Sequence, residues 1–155
     1  ATGSLSIETA VLFGIIFLWT PPHFWALAIL KTADYRRAGV PMLPVVAGEE
    51  KTRVQILLYS LVLAPFALLP VTMGFAGLPY AVTATVMGAL MVRHSWRLYR
   101  EHDSEAGRKA AVKVFTFSIL YLFVLFAVLL AEFIAGPERV ALVGHALRAL
   151  VGGAA

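Results

Sequence analysis

A short charged stretch contains the residues whose types and spacing are best suited to chemistry. Asp34 stands there among Lys31, Arg36 and Arg37, directly after a long apolar run. An aspartate in such a place can help to hold Mg²⁺, which takes oxygen ligands and usually bridges to phosphates. Lysine neutralises phosphate charge, and arginine does so through bidentate contacts. Taken alone, the cations are first explained as markers of the inner side of a membrane; the alternative is a phosphate site with a metal.

His23 is the second candidate for chemistry. It follows Pro21 and Pro22 inside an uncharged apolar run, and its aromatic neighbours are Trp19, Phe24 and Trp25. An ionisable residue inside a membrane is a functional candidate. His23 could ligate haem iron, shuttle a proton or bind a propionate, or it could simply bond a backbone carbonyl. The prolines remove two backbone donors, which predicts either a packing kink or a helix broken to shape a cavity near the inner surface.

The composition of the chain excludes several classes of protein. Of the 155 residues, 60% are hydrophobic and only 14% are charged, whereas soluble domains carry about 25% charged residues. So few charges cannot cover a water-facing surface, which excludes an ordinary soluble enzyme, a disordered chain and a nucleic-acid module. Nucleic acid is therefore not expected as a partner. The absence of cysteine excludes disulfides, thiolate metal sites and cysteine nucleophiles.

Long uncharged runs predict an all-α integral membrane bundle of four transmembrane helices. A crossing needs about 20 mostly apolar residues, and uncharged runs cover residues 9–30, 54–92 and 114–131. The middle run is too long for one crossing, and Gly74, Gly77 and Pro79 predict a turn within it. The predicted spans are residues 7–30, 54–73, 78–96 and 112–134, each within a few residues.

The distribution of basic residues predicts the orientation. Most of the 13 lysines and arginines lie in residues 31–53 and 93–113. By the positive-inside rule both segments are cytoplasmic. Residues 1–136 are thus expected to form one membrane domain. Residues 137–155 are expected to form a short tail that is either an amphipathic surface helix or disordered.

Two motifs in the chain resemble a known family. The runs TPPHFWALAI (20–29) and DYRRAGVPMLPVV (34–46), with a weaker likeness in VFTFSILYL (114–122), resemble the protohaem IX farnesyltransferase (haem O synthase) family of UbiA-type intramembrane prenyltransferases. The resemblance covers nearly the whole chain but only the C-terminal half of the family's nine-helix fold. It implies that the four spans match the last four helices, that the missing N-terminal half is a partner, and that the bilayer is the setting.

The resemblance also implies a reaction and roles for individual residues. The family transfers the farnesyl group of farnesyl diphosphate to a vinyl group of haem b, with Mg²⁺ as the metal cofactor. Asp34 would be the second acidic motif, which binds Mg²⁺ through the diphosphate, and His23 a haem or active-site contact. The residues that would contact the substrates are Lys31, Tyr35, Arg36, Arg37, Trp19 and Trp25. Haem A synthase or a terminal oxidase assembly would be a protein partner.

The sequence also departs from the family pattern. The first acidic motif, Asn-x-x-x-Asp-x-x-x-Asp, is absent, and Ala38 stands four residues after Asp34 where the wider superfamily has a second carboxylate. We therefore expect this chain alone to be inactive. Two alternatives stay open: another prenyltransferase of the superfamily, acting in a quinone or chlorophyll pathway, and a non-catalytic haem-binding membrane subunit. The expected location is the bacterial inner membrane, with the mitochondrial inner membrane as the less favoured alternative.

Overall fold

The computed structural model describes residues 6–136, and the described residues form seven α-helices and no β-strand. Four helices are long and three are short connectors. In chain order they are α1 (Ile7–Leu30), α2 (Thr32–Arg37), α3 (Leu43–Val46), α4 (Glu49–Phe66), α5 (Leu69–Thr72), α6 (Leu78–Arg100) and α7 (Ser104–Ala135). The all-α membrane bundle predicted from the sequence is confirmed.

The four long helices pack in a closed ring in the order α1, α4, α6, α7, and α7 packs back against α1. Neighbouring helices run antiparallel. Phe66, at the end of α4, contacts Gly14 near the start of α1, whereas Tyr59 lies beside Trp25 near the end of α1. Antiparallel packing places residues 31–49 and 101–103 at one end of the bundle, which we call the inner end.

A seam of small residues joins α4 to α6. A Cβ added at Gly88 would lie 3.1 Å from the Cβ of Ala64, so the two backbones approach closely there. Farther towards the inner end, the hydroxyls of Ser60 and Ser95 share a buried hydrogen bond of 2.8 Å. Small side chains that let backbones approach, together with interhelical hydroxyl bonds, are the usual means of association in a bilayer.

Arg53 links three segments at the inner end. Its side chain is 9% exposed and lies 3.3 Å from the carboxylate of Glu49. It also donates a hydrogen bond to the backbone carbonyl of Glu101, in the connection between α6 and α7. A Cβ on Gly107 would lie 2.8 Å from its guanidinium. The glycine therefore leaves the space that the arginine occupies.

Glu132 closes the opposite, outer end. Its carboxylate accepts hydrogen bonds from the backbone N–H groups of Gly77 (2.7 Å) and Tyr80 (2.8 Å). These N–H groups lie at the start of α6, where the first donors of a helix have no partner within the helix. A negative charge is also favourable at a helix N-terminus. Glu132 of α7 thus caps α6 from a neighbouring helix.

The helices extend beyond the uncharged runs at the inner end. We expected spans to begin at residues 54 and 112, but α4 begins at Glu49 and α7 at Ser104. Helix α7 can start early because the Asp103 carboxylate accepts hydrogen bonds from the N–H groups of Glu105 and Ala106. Much of the two basic segments, residues 31–53 and 93–113, which lie between the predicted spans, is therefore helical.

Three of the four predicted membrane crossings have a matching apolar segment among the described residues. Three segments of the described residues are long and apolar enough to cross: Ile7–Leu30, Glu49–Thr72 and Glu105–Ala135. Helix α6 has 23 residues, about 35 Å at 1.5 Å per residue, but it is less apolar and has three arginines near its inner end. The chain is thus a multi-pass membrane protein, and the fourth crossing stays a prediction. The predicted tail, residues 137–155, lies outside the described residues.

Candidate functional site

Helix α1 carries the first part of the candidate site, and it runs unbroken through both prolines. Pro21 and Pro22 lack the N–H groups that would otherwise bond the carbonyls four residues earlier. The neighbouring hydroxyl of Thr20 bonds the carbonyl of Ile16 at 2.7 Å, and Pro22 is buried in the bundle. Of the two alternatives that the prolines left open, the broken helix is therefore wrong, because packing against α4 and α7 holds the segment in helical form.

The ring of His23 is held between two aromatic rings. It stacks on Trp19, with ring centres 4.5 Å apart, and on Phe115 of α7, with ring centres 4.8 Å apart. Phe24 meets it edge-on. The indole N–H of Trp19 donates to the carbonyl of Ser118 at 2.7 Å. One hydrophobic slot between α1 and α7 therefore fixes the plane of the imidazole.

The hydrogen bonds of Ser118 assign the proton on His23. The Ser118 hydroxyl donates its single proton to the carbonyl of Phe115 at 2.7 Å. Its oxygen is also 2.7 Å from Nδ1 of His23. While the hydroxyl donates to Phe115 it can only accept from His23, which corresponds to the tautomer with the proton on Nδ1. In a neutral imidazole this arrangement leaves Nε2 with a free lone pair. That nitrogen could ligate a metal or accept a proton.

An apolar groove of about 350 Å³ opens beside this histidine, on the face shared by α1 and α7. Ile16, Trp19 and His23 line it from α1. Its other walls come from α7 and are Ile119, Leu122, Phe123 and Phe126. A groove of this kind suits a long apolar chain or a flat macrocycle, with His23 as its one ionisable group among the described residues.

The second part of the site is the acidic and basic cluster at the inner end of α1. The Asp34 carboxylate is hydrogen-bonded to Arg37 at 2.6 Å and lies 3.6 Å from the ammonium of Lys31. All three side chains are more than half exposed. They lie close together because Asp34 and Arg37 stand three apart on one face of α2, and Lys31 directly precedes that helix. The cluster faces the water at the inner end of the bundle.

The charge state of Asp34 follows from these contacts. The hydrogen bond from Arg37 is the main reason that the pKa of Asp34 is lower than usual, and the charge of Lys31 adds to the effect. Both cations favour the ionised carboxylate. Asp34 is therefore an anion throughout the physiological pH range, as a metal ligand must be.

The other residues proposed from the sequence take different places. Arg36 is exposed and makes no contact with Asp34 within the described structure. Tyr35 is half-buried on α2. Trp25 packs edge-on against Tyr59 of α4, with ring centres 5.3 Å apart, and lies outside the slot that holds His23. The groups brought together are thus Lys31, Asp34 and Arg37 at the inner end, and Trp19 with His23 in the slot.

Sequence reasoning missed the partners that α7 supplies. Phe115 and Ser118 hold His23, yet they lie more than 90 residues away along the chain. Residues 114–122, which contain both, stood out in the sequence only because they resemble the family. A serine within a long run of large apolar residues was the available signal, because a buried hydroxyl needs a hydrogen-bond partner.

Comparison with known proteins shows which family the chain is similar to. The model of the UbiA prenyltransferase family matches residues 1–120. Proteins named protoheme IX farnesyltransferase are similar to the chain. The one from Methylobacterium radiotolerans is 58% identical over 131 residues, which is 84% of this chain and 42% of the relative. The one from Azorhizobium caulinodans is 58% identical over 132 residues (85% and 43%), and that from Nitrobacter hamburgensis 54% identical over 135 (87% and 43%).

The matched relatives are much longer than the region they share with this chain. The chain spans about two fifths of their length. No solved structure matches the chain.

Proposed function

Because the chain belongs to the UbiA prenyltransferase family, we propose that it is the C-terminal part of an enzyme that transfers a farnesyl group to haem b. The observation that carries the proposal is the placement of Asp34 between Lys31 and Arg37 on α2, directly after the helix α1 that holds His23 beside an apolar groove. The names of the relatives support farnesyl diphosphate and haem b as the substrates.

The cations at the inner end suit a diphosphate. Lys31 offers a point charge and Arg37 a two-pronged donor, and both side chains are exposed to an incoming ligand. In the free protein they neutralise Asp34. When diphosphate and a metal bind, Lys31 and Arg37 can turn towards phosphate oxygens while Asp34 turns towards the metal. Arg36, on the same short helix, is available as a further contact.

Mg²⁺ fits this site if the protein and the diphosphate coordinate it together, and not as an ion held by protein ligands alone. The metal usually takes one or two carboxylates, with phosphate oxygens and water completing its shell. Asp34 supplies one carboxylate, and the described residues contain no group of three or more potential metal ligands. A second carboxylate would come from the part of the enzyme that this chain does not span. The bound metal would offset the negative charge of the departing diphosphate.

The proposed reaction begins with cleavage of the bond between the first farnesyl carbon and its oxygen, whose electron pair leaves with the diphosphate. The vinyl group of haem b supplies the electrons of the new carbon–carbon bond. Water then adds the hydroxyl group and releases a proton. The apolar groove would exclude other water, and the face of Trp19 can stabilise a cation.

The proposed role of His23 follows from its assigned proton. Nε2 carries the free lone pair, and the rings of Trp19 and Phe115 hold the imidazole in place. A neutral imidazole in this state can ligate haem iron. It can equally accept the proton that water releases. Either role would make His23 a direct contact of the acceptor substrate.

The proposed setting is the bacterial inner membrane, with the inner end of the bundle in the cytoplasm. The basic residues of the inner end support this orientation, and the organisms of the relatives support a bacterial source. Farnesyl diphosphate would then reach Asp34 from the cytoplasm, and haem b would enter from the bilayer. Haem A synthase or the assembly of a terminal oxidase would receive the product.

The test replaces Asp34 in a complete enzyme. The chain is joined to the N-terminal part of the Methylobacterium radiotolerans relative, and the chimera is assayed for haem O with haem b, farnesyl diphosphate and Mg²⁺. We expect Asp34→Asn to reduce kcat by about 100-fold, because the loss of even an outer-shell partner of a metal ligand costs about 10–100-fold. The matched control Glu50→Gln, an exposed carboxylate of the same end, should retain activity. An unchanged rate in the Asp34 variant would refute the proposed role.

The same chimera also tests the alternative that the chain is part of a non-catalytic haem-binding subunit. A haem-binding subunit without enzymatic activity has no reason to bind diphosphate, so inorganic diphosphate with Mg²⁺ should not bind near Asp34 in that case. The proposed enzyme should bind it and lose the binding in Lys31→Gln and Arg37→Gln. Formation of a prenylated quinone instead of prenylated haem would favour another branch of the family.

A further inference from the structure

A basic cleft of about 600 Å³ lies between the inner ends of α6 and α7, and we propose that it binds the phosphate group of an anionic phospholipid. The cleft is lined by different helices from those that carry Asp34 and His23. The proposal is therefore independent of the proposed reaction. Five cations line the cleft: Arg93, Arg97, Arg100, Lys109 and Lys113.

The spacing of these cations places them on two facing helix surfaces. On α6, Arg93, Arg97 and Arg100 follow one another at intervals of four and three residues, which is one face of a helix. On α7, Lys109 and Lys113 are four residues apart. The two rows face each other across the cleft. A phosphate between them could receive bidentate contacts from arginine and a point charge from lysine.

Most of this charge lacks a carboxylate partner. Within the part of the chain that the structure describes, Lys109 is the one cation of the five that forms an ion pair, with Glu105 at 2.7 Å. Glu101 is the one acidic residue among the residues that line the cleft. The cleft thus holds a clear excess of positive charge, which an anion would offset.

The level of the cleft relative to the membrane favours a lipid as the source of that anion. Trp96 lines it and is half exposed, and tryptophan is typical of the membrane–water interface. Towards the outer end, the large exposed side chains of the same two helices are apolar, for example Val86 on α6 and Ile119 on α7. The cleft therefore lies where the lipid-facing surface turns from apolar to basic, which is the level of the headgroups.

Small residues on α7 make room for a headgroup. Ala106 and Ala110 line the cleft, one turn apart and alternating with the lysines. Larger side chains at these positions would fill the space between the helices. Basic pockets between transmembrane helices at the cytoplasmic side are a known way of binding anionic lipid headgroups.

The experiment measures lipid retention by native mass spectrometry of the full chain in detergent micelles. The micelles contain phosphatidylglycerol and phosphatidylcholine with the same acyl chains in equal amounts. We expect one phosphatidylglycerol to be retained in preference to phosphatidylcholine. Inorganic phosphate at millimolar concentration should not displace it. Equal retention of the two lipids would overturn the proposal, and displacement by phosphate would assign the cleft to a dissolved anion instead.

Paired variants distinguish the cleft from general surface charge. Each cation near a membrane surface contributes about a fivefold preference for anionic lipid, so Arg97→Gln with Arg100→Gln should weaken retention about 30-fold. The control, Lys51→Gln with Arg108→Gln, removes the same charge from exposed positions at the same end that do not line the cleft. An equal loss in both pairs would mean that no localised site exists.

A third variant tests the cleft without changing its charge. Ala110→Phe fills the space and should abolish the preference for phosphatidylglycerol, while circular dichroism and the melting temperature confirm that the helices remain. Retained preference in the folded Ala110→Phe protein would overturn the proposal.

Discussion

The Asp34 carboxylate and the His23 ring are held by opposite means. Asp34 is exposed to water at the inner end, and its contacts are the charges of Lys31 and Arg37. His23 lies between helices, and its contacts are aromatic faces and one hydroxyl. The first arrangement can rearrange when a ligand arrives, because exposed ion pairs are weak. The slot around His23 is rigid, and it suits an imidazole that must present Nε2 to a ligand.

The pKa of Asp34 should respond to Arg37 and hardly to Arg36. The Arg37 hydrogen bond is the largest cause of its lowered pKa, so Arg37→Gln should raise the pKa towards its ordinary value, with Lys31 preventing a full return. A lowered pKa keeps the carboxylate ionised to lower pH, so the variant should lose the anion at a higher pH as the solution is acidified. Infrared titration of the carboxylate band, with Asp34→Asn as the blank, measures this shift.

The matched control for this titration is Arg36→Gln. Arg36 has the same charge on the same short helix but does not touch Asp34 in the described structure. Its replacement should leave the titration nearly unchanged. Equal shifts in the two variants would contradict the assigned contact.

Ser118→Ala should destabilise the contact between α1 and α7. The change removes the acceptor for Nδ1 of His23 and leaves that N–H without a partner. Interhelical hydrogen bonds in membrane proteins contribute about 0.6 kcal/mol on average and about 1.7 kcal/mol at most. We expect a loss in this range in unfolding by sodium dodecyl sulfate. Thr116→Ala is the control, because that exposed hydroxyl bonds only its own helix; an equal loss there would contradict the assignment.

At the scale of helices, the bundle depends on contacts that cross between elements at both ends. Glu132 of α7 caps α6 at the outer end. Arg53 of α4 holds the connection between α6 and α7 at the inner end. Each contact satisfies backbone groups at a helix terminus, where a bilayer interface offers few alternatives.

Glu132→Ala should lower the stability of the bundle by about 0.5–2 kcal/mol, as the loss of a helix cap does. The N–H groups of Gly77 and Tyr80 would lose their acceptor. Glu132→Gln keeps an acceptor oxygen but loses the charge, so its effect should be smaller. Detergent-induced unfolding monitored by circular dichroism measures both. A neutral result for Glu132→Ala, with Glu105→Ala as the exposed control, would show that the cap contributes nothing.

At the scale of the whole molecule, this chain alone should not make haem O. It holds one carboxylate of the proposed metal site and covers about two fifths of its relatives. The purified chain with haem b, farnesyl diphosphate and Mg²⁺ should give no product by chromatography with mass detection. The complete Methylobacterium radiotolerans relative should give product in the same assay. Haem O from the chain alone would contradict the prediction.

The sequence predicted the fold better than it predicted the site. Uncharged runs and basic segments were enough to predict the membrane bundle, because burial in lipid constrains composition strongly. The ionic neighbours of Asp34 were also visible, since they lie within three residues. The slot around His23 was not, because Ser118 comes from another helix. At Pro21 and Pro22 the sequence left a packing kink and a broken helix open, and the broken helix was wrong, because packing by neighbouring helices outweighs a local preference.

The unbroken course of α1 has one consequence for how this protein can vary. His23 and Leu30, the last residue of α1, stand seven residues apart on this helix, a separation of about 10 Å. One added residue between them would turn everything beyond it by about 100° around the helix axis. The imidazole and the carboxylate would then face different sides of the molecule. Substitutions in this segment can be absorbed, whereas a change in its length cannot.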